Sequence, residues 1–445
     1  MNEQTIIEAI EKEVVPLNYE DPKLEYIIKL IGDKRIVLIG DASHGTHEFY
    51  ELRAKITQKL IKEKGFNAVA IEGDWPDAYN VNQYLNGRGG VGCANHALAG
   101  FKKFPVWMWR NTELVSFINW LSKFNENITK GGLRVGFYGL DLYSLHASID
   151  AVLQYLEKVD PESAELAKER YSCFDLKAKN PERYGYLASH KLKASCENEA
   201  REELWALQEK AFEYVKKDAG EGEYFYAEQN ARLVKNAEAY YRAMYEGDEL
   251  SWNTRDTHMA ETLCYLERHL SDRLKEDSKI VVWAHNSHVG DARSTEAGQK
   301  RNELNIGQLA REVFGPETFL LGFLGYDGTV TAASDWGPYA QRKNVRPALS
   351  ESYEGLFHEV RHKNFVLSFE KESQARKMLS KPRLERFIGV IYRPETERTS
   401  HYYPVDITKQ FDAIVYLDRT KAITPLEVNS EWEKGELPQT YPAGL

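Results

Sequence analysis

The residues able to do chemistry collect directly behind short apolar runs. Run 35–40 is followed by Asp41, His44 and His47 in GDASHGTHEF, and run 68–71 by Glu72 and Asp74 in EGDWPD. Run 133–138 leads to Asp141, and run 280–284 to His285, His288, Asp291 and Arg293 in HNSHVGDAR. Imidazoles titrate near neutrality, so histidines sharing a rim with carboxylates and an arginine have the composition of an acid/base site. Asp41 stands three positions before His44. Its carboxylate can hold the imidazole in one tautomer while the other ring nitrogen faces a water or hydroxyl. The alternative, that Asp41 only caps the helix that follows, leaves His44 without a task.

Glu72 ends a strand-like run and needs a partner there, for which Arg53, one helix earlier, is the candidate. Arg53 could instead face a substrate carboxylate or a developing oxyanion. His285 and His288 could contact one substrate, donate a proton to a leaving group, or bind a metal. A zinc or manganese site from His44, His47, His285, His288 and Glu72 has suitable ligands, but order and spacing match no zinc signature. Two other motifs fall short. Gly40 to Gly45 has the outline of a phosphate loop without its Lys, and Ser43 sits on a turn without the first Gly of G-x-S-x-G.

Two further groups bear on a cleft. Trp107, Trp109 and Arg110 in FPVWMWR, beside the Gly-rich loop 86–100, are core aromatics with a surface Arg or else an apolar wall. Asn253, Arg255, Asp256 and His258 in SWNTRDTHM form a polar helix end or reach a substrate from a cap over the sheet.

Elements must place these groups. The β-rich runs alternate with helical patterns, which predicts an α/β fold with a largely parallel sheet flanked by helices. Further runs at 318–325, 365–369, 387–392 and 413–417 extend it. After Thr46, apolar Phe49, Leu52, Ile56 and Leu60 share one helical face, and Gly65 stops the helix. Strand signals vanish from about 144 to 278. The chain therefore divides into a first α/β portion (1–143), a helical insertion or cap closing a cleft (144–278), and a second α/β portion (279–445). In open parallel sheets ligands bind beyond the carboxyl ends of strands, where the polar clusters stand.

The 445 residues are 42% hydrophobic and 28% charged, enough for a substantial core, and a net charge of −10 argues against sequence-independent nucleic-acid binding. No apolar run approaches the roughly 18 residues of a membrane helix, so a soluble, cytoplasmic protein without a membrane partner is expected. Cys93, Cys173, Cys196 and Cys264 are too far apart for a CxxC pair and are expected as reduced thiols.

Long stretches, among them LIGDASHGTHEFYELR, FNAVAIEGDWPDAYNVNQYL, FPVWMWRNTE and VVWAHNSHVGDAR, resemble the erythromycin esterase family over nearly the whole chain. The resemblance implies a cofactor-free hydrolase that uses activated water on a small-molecule ester or lactone, with no serine intermediate. It implies His44 as general base and Asp41 or Glu72 orienting it. Arg53, His285 and His288 would bind substrate and stabilise the oxyanion. Similar members often carry Glu at the position of Asp41, so this carboxylate is drawn back by about one methylene. Competing expectations are a metal-dependent hydrolase using the same cluster, and a non-enzymatic binder of a bulky amphipathic metabolite. Asp74, Trp109, Arg110, Arg255, Asp256 and Arg293 are the expected substrate contacts.

Overall fold

The four apolar runs that precede the polar clusters are strands, and they lie in one sheet. The computed structural model describes residues 2–128, 132–174, 179–217, 222–337 and 339–435. In chain order its strands are β1 (Val15–Pro16), β2 (Ile36–Ile39), β3 (Ala68–Asp74), β4 (Gly136–Asp141), β5 (Ile280–Trp283) and β6 (Thr318–Ala332). They continue with β7 (Gln341–Val345), β8 (Asn364–Ser368), β9 (Arg383–Arg386), β10 (Tyr402–Val405) and β11 (Ala413–Thr420).

The main sheet has the order β1-β8-β11-β6-β2-β5-β3-β4, with β7 paired to β6, and β9 and β10 form a separate ribbon. From β11 to β4 all neighbours are parallel; β7 and β8 run antiparallel to that set, and β1 pairs antiparallel with β8. Strands buried on both faces read as continuous apolar runs, as IVLI of β2 and IVVW of β5 do. The chain moves outward from β2 to β3 and β4, returns to insert β5 between β2 and β3, and then crosses to β6 on the far side of β2. That reversal opens a crevice at the carboxyl ends of β2 and β5.

Helix His47–Lys64 buries Phe49, Leu52, Ile56 and Leu60 and ends at Gly65, whose φ of 72° is the left-handed conformation glycine adopts freely. With Thr112–Glu126 it covers one face of the sheet. The other face is covered by Asp248–Leu274, through Met259, Leu263 and Leu266, and by Ile306–Phe314. Helices between Leu145 and Ala243 share a separate core that includes Ile149, Tyr171, Leu204 and Val234. No described helix is long and apolar enough to cross a membrane.

Two expectations are corrected. Run 387–392 is not a strand of the sheet. Its backbone is drawn over the strand ends, with Ile388 N–H donating to Ala42 O and Ala333 N–H to Val390 O, and it makes only single bridges to Ser43 and Ala333. Cys173 and Cys196 are not free thiols but a disulfide. The short turn Ser172–Phe174 folds back beside the start of helix Glu197–Glu209, bringing the two Cα atoms to 6.0 Å. Cys93 and Cys264 are free.

Gly45 follows His44 at a crowded crossing. A Cβ there would meet Thr331 O at 1.8 Å, because Gly45 O accepts from both Thr331 N and Ile423 N. Gly45→Ala is expected to destabilise the protein by about 3 kcal/mol, as overpacking against fixed backbone does, read from the midpoint of denaturant unfolding.

Candidate active site

Register brings the strand ends level. Ile39 pairs with Trp283, Trp283 with Ile71, and Ile71 with Gly139, so β2, β5, β3 and β4 finish side by side. One or two residues beyond these paired positions stand Asp41, His285, Glu72 and Asp141. The expected convergence therefore occurs, and the helix Asp248–Leu274 adds Arg255 and Asp256 from its first turns.

Glu72 is the hub. Its Oε1 accepts from Arg255 Nη2 at 2.8 Å, lies 3.3 Å from His288 Nε2 and stands 3.8 Å from His44 Nε2; its Oε2 accepts the His285 backbone N–H at 2.9 Å. Arg255 also grips Asp141 through Nε and Nη2, at 3.0 and 2.6 Å. His288 Nδ1 donates to both oxygens of Asp256 at 2.9 Å, and its ring stacks on Trp252. Asp256 accepts the Ile306 N–H as well, which ties the helix end to the cluster.

His44 is held differently. Its Nδ1 approaches Asp41 Oδ1 to 3.5 Å without a hydrogen bond, and its ring centroid lies 4.8 Å from that of His285. Asp41 Oδ2 accepts instead from Arg53 Nη1 at 2.8 Å, while the Arg53 guanidinium lies over Tyr50 and Trp283. The pairing of Arg53 with Glu72 considered from the sequence is thus absent. Arg53 is fully buried beneath Asp41, and the guanidinium that reaches Glu72 is Arg255.

Burial opposes ionisation of Glu72, yet the neighbouring His288, His44 and Arg255 outweigh it and hold the carboxyl well below its usual range. Burial likewise opposes protonation of His288, but Asp256 and Glu72 prevail and push it up to about 10. His285 is the opposite case: burial and the neighbouring His44 keep it well below the ordinary imidazole range. The Ser287 N–H donates to His285 Nδ1, which fixes the proton on Nε2, and Nε2–H donates to Ile388 O at 3.2 Å. Burial also raises Asp41, despite His44 and Arg53.

The cluster opens into a cavity of about 1370 Å³ between the strand ends and the helical portion. His44, Glu72, Asp74, Trp109, Arg255, His285 and His288 line it. Trp109 Nε1 donates to Glu72 O, which fastens this wall to β3. Other expected contacts lie elsewhere. Arg110 turns outward to Glu427, and Arg293 pairs with Asp291 beside Arg311 in a separate depression. Both sit one residue beyond a wall residue, where the side chain faces away from the cleft. His47 Nδ1 bonds Glu113 on the far side of its helix, outside the cluster. Asn253 clamps the 302–304 turn, and His258, pushed down to about 4 by burial, is a core residue beside Asn236. The hydroxyl of Ser43 meets Thr46 rather than the cavity. Tyr143, Tyr241, Lys103, Asp77 and Ser287 also line the cavity. No local pattern marks them, and the Arg255–Asp141 pair, 114 positions apart, has no sequence signature at all.

Because the folded-state pKa of His288 is raised, its contribution to stability is complete below the ordinary imidazole value of about 6.5 and is lost as the pH rises through about 10. Asp256→Asn should remove much of this dependence. Imidazole NMR should show His288 still protonated at pH 8 in the parent, with its titration moved toward neutrality in the variant.

The chain matches the erythromycin esterase family over residues 61–420. It is 23% identical over 374 residues to YbfO of Bacillus subtilis (strain 168), whose name assigns it only provisionally as a hydrolase, covering 77% of this chain and 75% of that protein. To the erythromycin esterase type II of Escherichia coli it is 24% identical over 327 residues, covering 71% and 74%. Among solved structures, a succinoglycan biosynthesis protein superposes with a TM-score of 0.77 at 21% identity, over 95% of this chain and 98% of that one. A mutant of the erythromycin esterase EreC in its open conformation gives 0.66 at 17% identity, over 92% and 97%. The structural likenesses establish a shared α/β architecture, and the family match, which spans the strand end bearing Glu72 and the turn bearing both His285 and His288, shows that this chain belongs to the erythromycin esterase family.

Proposed function

We propose that this esterase-like hydrolase cleaves an ester or lactone bond with a water activated by His44. One observation carries the reading. Three histidines meet at the cluster, and His285 and His288 have both ring nitrogens engaged, whereas neither nitrogen of His44 makes a hydrogen bond among the described residues. His44 lines the cavity between two carboxylates, Asp41 at 3.5 Å and Glu72 at 3.8 Å. It is the imidazole free to exchange a proton.

In the first step His44 takes a proton from water as the oxygen attacks the carbonyl carbon, and the carbonyl π pair moves onto the oxygen. The tetrahedral oxyanion then re-forms the carbonyl, and the departing alkoxide takes the proton from His44. Acid and alcohol result, with His44 neutral again. Asp41 and Glu72 stabilise the imidazolium between these steps. Three cations, Arg53, Arg255 and His288, already face four carboxylates, Asp41, Glu72, Asp141 and Asp256; the imidazolium completes a balanced set. The positive charge of Arg255 and His288 at the cavity wall favours the oxyanion.

Two other routes have less support. The metal set His44, His47, His285 and Glu72 is not gathered, because His47 faces Glu113 outside the cluster. Ser287 Oγ lies 2.8 Å from His285 Nδ1, but that nitrogen also accepts the Ser287 N–H in a helix cap, and no acid orients the ring.

Screening of activated esters and lactones should find turnover that His44→Ala lowers by about 10²–10⁴-fold while circular dichroism is unchanged. Ser287→Ala should retain activity within a few-fold, and dialysis against EDTA should not alter it. Loss of turnover on chelation, or in Ser287→Ala alone, would overturn the water-only reading.

A further inference from the structure

The charged groups of the cavity fall into two sets. Those around Glu72 are paired with one another. The second set is Asp74 and Asp77, at the start of the helix Trp75–Leu85 and along the same cavity wall. Asp74 is 7% exposed and occupies the N-cap position, yet its side chain makes no capping bond. Its Oδ1 accepts no hydrogen bond; Lys103 Nζ lies 3.7 Å from its Oδ2, and the Tyr143 backbone N–H and the charge of Arg255 also act on the carboxylate. Lys103 is half exposed and donates to the Tyr143 carbonyl, so its charge is shared with solvent and backbone.

Asp77 makes no ion pair within 4 Å among the described residues. Burial and the adjacent Asp74 push it up to about 7, with Lys103 and Lys102 offsetting this only in part. The helix dipole favours an acid at this position but supplies no donor to Asp74 Oδ1. Lys103 and Lys102, the cations that offset Asp77, are both exposed, so the lysine charge at this corner is shared with solvent. Its walls are aromatic: Phe101 and Trp109 pack against Gly73, where a Cβ would meet them at 3.3 and 2.9 Å, and the Tyr241 hydroxyl reaches the Tyr143 carbonyl. Carboxyl groups set against an apolar aromatic wall suit an alkylammonium group, whose charge they answer and whose alkyl carbons the wall covers.

We infer that the Asp74–Asp77 corner is a recognition subsite for an alkylammonium group on the non-reacting part of the substrate. The inference rests on the hydrolase reading only for what happens at the other end of that molecule.

Isothermal titration of the full chain with choline and with 3,3-dimethylbutan-1-ol, its neutral isostere, tests the subsite without requiring turnover. Choline should bind about tenfold or more tightly than the alcohol. Asp77→Asn and Asp74→Asn should each remove most of that advantage without changing affinity for the alcohol. Equal affinities in the parent, or an undiminished preference in both variants, would overturn the inference. Should Asp74→Asn not fold, Asp77→Asn, at a partly exposed position, decides alone. A parallel assay with acetylcholine and 3,3-dimethylbutyl acetate separates the two proposals. Choline binding that depends on Asp77 in a protein inert toward every ester tested refutes the hydrolase reading and upholds the subsite. Turnover with no choline preference does the reverse.

Discussion

A carboxylate at the end of a central strand, taken out of water, is costly by several kcal/mol unless its charge is answered. Glu72 is in that position, and the surrounding site is built from the answers. Arg255 reaches it from a helix, His288 and His44 from two strand-end turns, and the His285 backbone N–H supplies the remaining bond. Each of these groups is then fixed by its own partner: Asp141 for Arg255, Asp256 for His288 and Ser287 with Ile388 for His285. Removing any one would strand another charge in low dielectric, so the cluster is rigid by mutual need.

The same logic sorts three imidazoles into three states. His288 lies between two carboxylates and is cationic. His285 has no acid hydrogen-bonded to its ring, accepts a backbone N–H and is neutral. His44 is left with two carboxylates nearby and no hydrogen bond to either. Identical side chains in one pocket thus differ through the groups that contact each ring. Arg53 belongs to this layer too: it sits under Asp41 and acts on His44 only through that carboxylate.

Beyond the cluster the cavity changes character. Its walls are largely apolar, formed by Phe101, Trp109 and Tyr241, and its volume of about 1370 Å³ exceeds the roughly 300–1,000 Å³ common for small-ligand clefts. The helical portion from Leu145 to Ala243 has its own core, joined to the sheet through Trp75 and Leu142, so the far wall is anchored at the ends of β3 and β4.

Much of this was legible in the letters. Apolar runs of four residues ending in Gly-Asp, Glu-Gly-Asp or His mark parallel strands and their carboxyl ends, and the 3.6-residue spacing after Thr46 marks the helix that Gly65 ends. Those patterns are local, and local periodicity reports burial directly. Side-chain partnership is not local. Whether Glu72 meets Arg53 or Arg255, whether His47 joins His44 or turns to Glu113, and whether Cys173 finds Cys196 depend on register, helix rotation and chain return. Half a turn of a helix or one step along a strand reverses the direction of a side chain, and in the turn after Met108 the adjacent Trp109 and Arg110 likewise face opposite ways. The amino-acid order determined which elements form and which chemical groups their ends carry; only the packed sheet, with its strands in register, decided which charges touch, because ion pairing acts across space over a few ångströms and takes no account of distance along the chain.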